Sequence, residues 1–145
     1  MDNISTLFPK AVAWAEEQSS LICKEGRLLT SEEIESAKNA EVQHPEQVRI
    51  LVVDTLPQPE DAELREAALR LELLGPSMVG LTLGYGIYIV RGNEMRFIPH
   101  ELRHVHQFER LGSISSFLTV YLQELQKFGY SHAPLELDAS KYEPA

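Results

Sequence analysis

The order of patterns along the chain predicts an α+β fold, with helices first, a small mixed sheet in the middle and helices last. Three observations carry this. Apolar residues recur at helical spacing from about Leu7 to Lys24, and again over Glu60–Leu74 and Ile114–Phe128. Two β-branched runs, Val48–Val53 and the glycine-punctuated Met78–Val90, lie between those helical blocks. The chain has 145 residues, 43% of them hydrophobic, which suits one domain with a core of its own.

In the first helix, Phe8, Val12, Ala15 and Ser19 form a stripe, with Trp14, Leu21 and Ile22 beside it. Pro9 is expected in the first turn, and Glu25-Gly26 reads as a glycine C-cap. A second, shorter helix runs to about Asn39, capped by Thr30 or Ser31 ahead of an acidic first turn. His44-Pro45 marks a turn before the strand Val48–Val53. After the loop Asp54–Pro59, a helix over Glu60–Leu74 turns Leu64, Ala67, Ala68, Leu71 and Leu74 inward, with Glu60, Asp61 and Glu63 in its first turn. Gly75-Pro76 stops it.

Val79–Leu83 and Ile87–Val90 are two short strands joined by Gly84-Tyr85-Gly86 as a turn or bulge. A further turn, Arg91–Glu94, and the segment Met95–Ile98 lead into Pro99, which is expected at N1 of the next helix. That helix ends near Leu111-Gly112. Ser113 caps another, Ile114–Phe128, whose apolar side is Phe117, Leu118, Tyr121, Leu122, Leu125 and Phe128. Tyr130–Pro134 is a loop, and Leu135 to about Tyr142 a final short helix.

The net charge of −9 argues against nucleic acid or an anionic membrane surface as the main partner. The single cysteine, Cys23, excludes an internal disulfide and points to a reducing, cytoplasmic location. Its apolar neighbours predict a buried small hydrophobe rather than a nucleophile. The N-terminal segment lacks a basic stretch followed by an apolar run, so no signal peptide is expected, and no window approaches the length of a membrane span.

The chemistry is concentrated in His100-Glu101-Leu102-Arg103-His104. On a helix, two histidines four residues apart share one face, so both imidazoles can reach one metal ion. Glu101 flanks them without ligating, where a general base for metal-bound water belongs. A catalytic zinc has three protein ligands and a water. Glu136, on the last helix, is the expected third ligand, with Asp138 as the alternative or as a partner for a histidine N–H. Gln107, one turn beyond His104, is placed to hydrogen-bond near the site, whereas His106 and Glu109 point away. Leu102, Val105 and Phe108 form the buried side of this helix. In the expected chemistry Zn²⁺ acidifies its water, and Glu101 moves the proton to a leaving amine. Tyr130, Tyr142 or His132 would donate to the oxyanion.

At His100–Gly112 the chain resembles a zincin, and specifically small bacterial zincin-like domains whose helix reads HELxHVxQ. Pro134–Ala139 is similar to their P-x-E-x-(D/E)-A segment, which carries a glutamate ligand in the minimal gluzincin pattern. Gly80–Ile89 resembles the strands that precede the active-site helix. The resemblance implies a zincin-like fold and a zinc metallopeptidase acting on a peptide or protein substrate. It implies an edge strand, Leu81, Thr82, Leu83 and Gly84, that holds an extended substrate by main-chain hydrogen bonds. It covers about Gly80 to Tyr142. Residues 1–79 match no pattern; they are either a sheet-and-helix half of one zincin-like domain spanning 1–145 or a segment that covers the cleft. A zinc-binding domain without turnover, serving as an interaction or structural module, is the alternative, and hydrolysis of a non-peptide amide in a narrow closed pocket is a third.

Overall fold

The computed structural model describes residues 4–145, with side chains from residue 6 onward. Among these residues six α-helices surround a three-stranded sheet. The elements run α1 (Ile4–Glu25), α2 (Ser31–Asn39), β1 (Arg49–Val53), α3 (Ala62–Arg70), β2 (Gly80–Leu83), β3 (Gly86–Val90), α4 (Glu94–Leu111), α5 (Ile114–Phe128) and α6 (Pro134–Ser140). Short 3₁₀ turns at Pro45–Gln47 and Tyr130–His132 precede β1 and α6. The α+β expectation holds in its coarse form. No helix among the described residues is long and apolar enough to cross a membrane.

The sheet is mixed, in the order β1-β3-β2, with β1 parallel and β2 antiparallel to the central β3. Strand alternation sorts its side chains into two layers. Ile50, Ile87 and Ile89 face α2 and α4, meeting Ala37, Ile98, Leu102 and Val105. Tyr88, Leu51, Val53, Leu81 and Val90 face the other way, onto Ile22 and Trp14 of α1 and onto Leu74. A third cluster, around Phe117, Tyr121, Leu125 and Ala133, packs α5 and α6 against the chain that follows α3. Both outer strands could offer a free edge, but Arg27 exchanges two main-chain hydrogen bonds with Ile50 (2.8 and 2.9 Å) and covers part of β1.

Several boundaries differ from expectation, each for a physical reason. Helix α1 begins earlier than expected, so Pro9 lies inside it rather than in the first turn. Its buried residues are Leu7, Ala15 and Ile22, while Leu21 and Cys23 are exposed, which corrects the buried reading of Cys23. Gly26 is not a left-handed cap. A Cβ there would lie 2.9 Å from the Ile50 carbonyl oxygen, so glycine is needed to let Arg27 approach β1. Helix α3 starts at an Asp61 N-cap and ends at Arg70, short at both ends. Leu74 is buried instead through a turn in which Glu72 and Leu74 adopt φ of 66° and 62°. The hairpin turn is Gly84-Tyr85, with φ +65° at Gly84, and Gly86 belongs to β3. Gly84 therefore lies outside the edge strand.

Helix α4 also starts early, at Glu94, and Pro99 sits within it rather than at N1. The extension brings Ile98 onto the buried stripe with Leu102 and Val105, at i, i+4 and i+7. The amide that Pro99 lacks would have served the Met95 turn, where the side chain is 91% exposed and water can replace the lost bond. Gly112, at φ +100°, ends α4 as expected, and Ser113 caps α5 by accepting from Ser116 N (3.0 Å). Phe128, expected on the apolar side of α5, is exposed, and α6 ends at Ser140.

Candidate metal centre

Helix α4 is buried on two faces. One is the apolar stripe just described; the other carries His100, Glu101, His104 and Gln107, all buried. Helix α6 lies across this second face and buries Glu136 against it. Together His100, His104 and Glu136 form the one cluster of three or more His, Cys, Asp or Glu side chains among the described residues that could hold a metal ion. His100 Nε2 lies 3.0 Å from Glu136 Oε1, and His104 Nε2 lies 3.2 Å from Glu136 Oε2. A tetrahedral zinc with bonds of about 2.0–2.1 Å would hold its ligand atoms about 3.3 Å apart. The three residues could hold a metal ion, and the same two distances make them a buried ion-pair cluster.

The outer ring nitrogens are pinned. His104 Nδ1–H donates to Gln107 Oε1 (2.7 Å). The Gln107 amide is oriented by its own Nε2, which donates to Leu135 O (3.0 Å) and Asp138 Oδ2 (2.9 Å). His100 Nδ1–H donates to Glu143 Oε2 (2.9 Å). With a proton on each Nδ1, a neutral imidazole directs its Nε2 lone pair at the shared point. Asp138 is held in turn by Arg103 Nε (2.8 Å), whose guanidinium also reaches Glu41 (2.9 Å) and the Ala40 carbonyl (3.1 Å). It is thus a partner of the partners and not a member of the ligand cluster.

Charge is concentrated here. Burial pushes the His104 imidazolium down, but the Glu136 and Glu101 carboxylates outweigh it and hold its pKa up to about 9. The same balance raises His100, chiefly through Glu136. Burial would raise Glu136, yet the two imidazoles and Tyr121 keep it well below the usual carboxylate range. Tyr121, buried and itself pushed up by burial and by Glu136, donates its hydroxyl to Glu136 Oε2 at 2.6 Å.

Glu101 is 5% exposed and its pKa is raised by burial, against the pull of the two histidines and of Thr82. Two residues of β2 hold it. Thr82 Oγ1–H donates to Glu101 Oε1 at 2.7 Å. A Cβ at Gly80 would lie 2.6 Å from Glu101 Oε2, so only glycine leaves the carboxylate in place. Glu101, His104, Glu136 and Tyr130 all line one cavity of about 140 Å³ that runs from this cluster along β2.

The expected site residues are thus largely brought together: His100, His104, Glu136, Glu101, Gln107, Asp138 and Tyr130. Tyr142 is not at the cavity. Its ring lies under the Arg103 guanidinium, 4.7 Å from centroid to Cζ, which removes it as an oxyanion donor. His132 is exposed beside Ser131. His106 and Glu109 point away as expected, His106 to the Glu41 carbonyl and Glu109 to Tyr85 and the amides of Gln43 and His44. Sequence reasoning missed Tyr121, Glu143, Gly80 and the Thr82 hydroxyl. No protein-family model, curated protein or solved structure matches this chain.

Proposed function

We propose that this chain is a zinc-dependent metallopeptidase with a zincin-like fold, in which His100, His104 and Glu136 hold the ion and Glu101 is the general base. The carrying observation is the convergence of two Nε2 atoms and one carboxylate beside a buried, non-ligating Glu101 whose pKa is raised. Bound zinc supplies Lewis acidity toward a carbonyl and toward water. Glu101 accepts a proton at Oε2, the oxygen that Thr82 leaves free, and returns it to the leaving amine. A carboxylate whose pKa burial raises is a stronger base than an exposed one, which suits both transfers. Tyr130 faces the same cavity, makes no side-chain hydrogen bond to another described residue, and keeps its proton because burial and Glu136 raise its pKa. It is the oxyanion donor of this reading. Strand β2 binds the peptide as a further strand.

A non-catalytic reading has one observation in its favour. His100, His104 and Glu136 already satisfy one another directly, and no buried side-chain N or O among the described residues lacks a partner. The triad could then be a structural ion-pair cluster in a binding module. Elemental analysis separates the two. The metallopeptidase retains about one zinc per chain and loses it in His104→Ala and in Glu136→Ala. Metal-loaded Glu101→Gln cleaves peptides about 10²–10⁴-fold more slowly than the parent. A parent that takes up no zinc on reconstitution overturns the proposal.

A further inference from the structure

The cavity beside the ligand cluster continues away from it, between the sheet edge and helices drawn from both ends of the chain. Phe8 and Trp14 of α1, Ala67 of α3, Leu71 and, from α5, Leu118 and Leu122 line it. Its charged lining residues are Glu101, His104 and Glu136, all at the metal end. Beyond them nothing along the lining could neutralise a charged group on a ligand. Cavities of about 150 Å³ with such walls take up one benzene-sized apolar molecule, and this one measures about 140 Å³.

All four residues of β2 also line it. Side chains of successive strand residues point to opposite faces, so what all four share is the backbone edge. The register identifies the groups available there. Val90 N donates to Val79 O at 2.8 Å, which makes these two a hydrogen-bonded pair. By alternation Leu81–Tyr88 and Leu83–Gly86 are the next such pairs, and Gly80 and Thr82 turn their N–H and C=O away from β3. Among the described residues, no backbone hydrogen bond outside the ladder involves Gly80 or Thr82.

We infer that residues 1–79, through α1, α3 and the turn after it, form the specificity wall of the cleft. The wall selects an uncharged peptide segment that lies along Gly80–Thr82 and places one Leu- or Phe-sized apolar side chain in the cavity. An apolar chain without peptide groups would leave the β2 edge unpaired, which is why a peptide is the occupant. The inference rests on the metallopeptidase reading for what happens to a bound peptide, but not for its binding.

The test uses the full chain freed of metal, with binding followed by NMR titration. The probes are N-acetyl amides of phenylalanine, leucine, glutamate and lysine, and octanamide. Phenylalanine and leucine amides should bind about tenfold or more tighter than the charged pair, and tighter than octanamide. Ala11 of α1 also lines the cavity, and Ala11→Phe and Ala67→Phe, which fill it, should abolish that preference while each variant still melts cooperatively. Should filling prevent folding, Leu71→Ala decides: the enlarged cavity should favour a naphthylalanine amide over the phenylalanine amide. Equal binding of charged and apolar probes, octanamide binding as tightly as the peptide probes, or a preference unchanged in the altered cavity overturns the inference. Apolar selectivity without hydrolysis by the zinc-loaded protein keeps this inference and removes the peptidase; hydrolysis without apolar selectivity does the reverse.

Discussion

From Gly80 onward the chain fixes its side chains with hydrogen bonds between buried polar groups; before Gly80 it contributes apolar surface to the same cleft. Thr82, His100, Glu101, His104, Gln107 and Glu136 are the buried polar side chains among the described residues, and none precedes Gly80. The polar contacts of the first half are exposed, as in Lys10–Asp61, or only partly buried, as in Gln58 with the Leu74 carbonyl and Gln18 with Tyr88. Directional bonds hold atoms to within tenths of an ångström, as a reaction needs, whereas apolar walls are tolerant of exchange at constant volume. On the proposed reading the division gives chemistry to one half and selectivity to the other, and it can be broken by experiment.

The largest effect is expected at Glu136. Its replacement by alanine leaves two imidazoles buried without their carboxylate, and removing one partner of a buried ion pair costs about 3–5 kcal/mol. Urea unfolding of metal-free Glu136→Ala should show that loss, and zinc retention should vanish with it. Next comes Gly80→Ala. The new Cβ collides with Glu101 Oε2, a contact of 2.6 Å without relaxation. Displacing the base by such a step should slow peptide cleavage about 10²-fold while zinc stays bound. Zinc loss in Gly80→Ala would show that β2 shapes the ligand set as well as the base.

Gln107→Ala and Glu143→Ala should each weaken zinc binding by about 10–100-fold in a chelator competition, because each frees an outer imidazole nitrogen. Leu71→Ala, in the wall, should leave zinc affinity unchanged. A wall variant that weakens zinc would erase the division between the halves.

The same division explains what could be read from the chain. His100, Glu101, His104 and Gln107 were legible because one helical period sets their common face. Glu136 was legible because a metal needs a third ligand and a resemblance pointed to that helix. Thr82, Tyr121 and Glu143 reach the site through tertiary contacts between elements far apart in sequence, as in Thr82–Glu101 and Tyr121–Glu136, and local pattern carries no such information. Pro99 misled for a related reason: the rule for prolines in the first turn is local, and burying Ile98 against the sheet outweighed it. The wall was illegible altogether, since Phe8, Trp14 and Ala67 read as ordinary core residues until the fold leaves a space between them.

The smallest expected effect lies at the surface of the first half. Thr30 Oγ1 accepts from Glu33 N at 3.2 Å, while Glu33 Oε1 accepts from Thr30 N at 2.9 Å and from Arg27 at 2.8 Å. Thr30→Ala removes one side of this capping box and should cost about 1 kcal/mol. Burial alone would raise the Glu33 carboxyl, but Arg27 and the Thr30 amide outweigh it and hold its pKa below the ordinary 4.5. A carboxyl depressed in the folded state stabilises the protein above its unfolded pKa, and that contribution is lost as pH falls through the folded value. Glu33→Gln should therefore cost less near pH 3 than near pH 7, measured as a shift in urea midpoint, and neither variant should alter zinc content. Equal cost at both pH values would mean that the Glu33 charge contributes nothing. A change in zinc content would mean that α2, packed against α4 through the Ala37–Leu102 cluster, transmits strain to the His100–His104–Glu136 cluster.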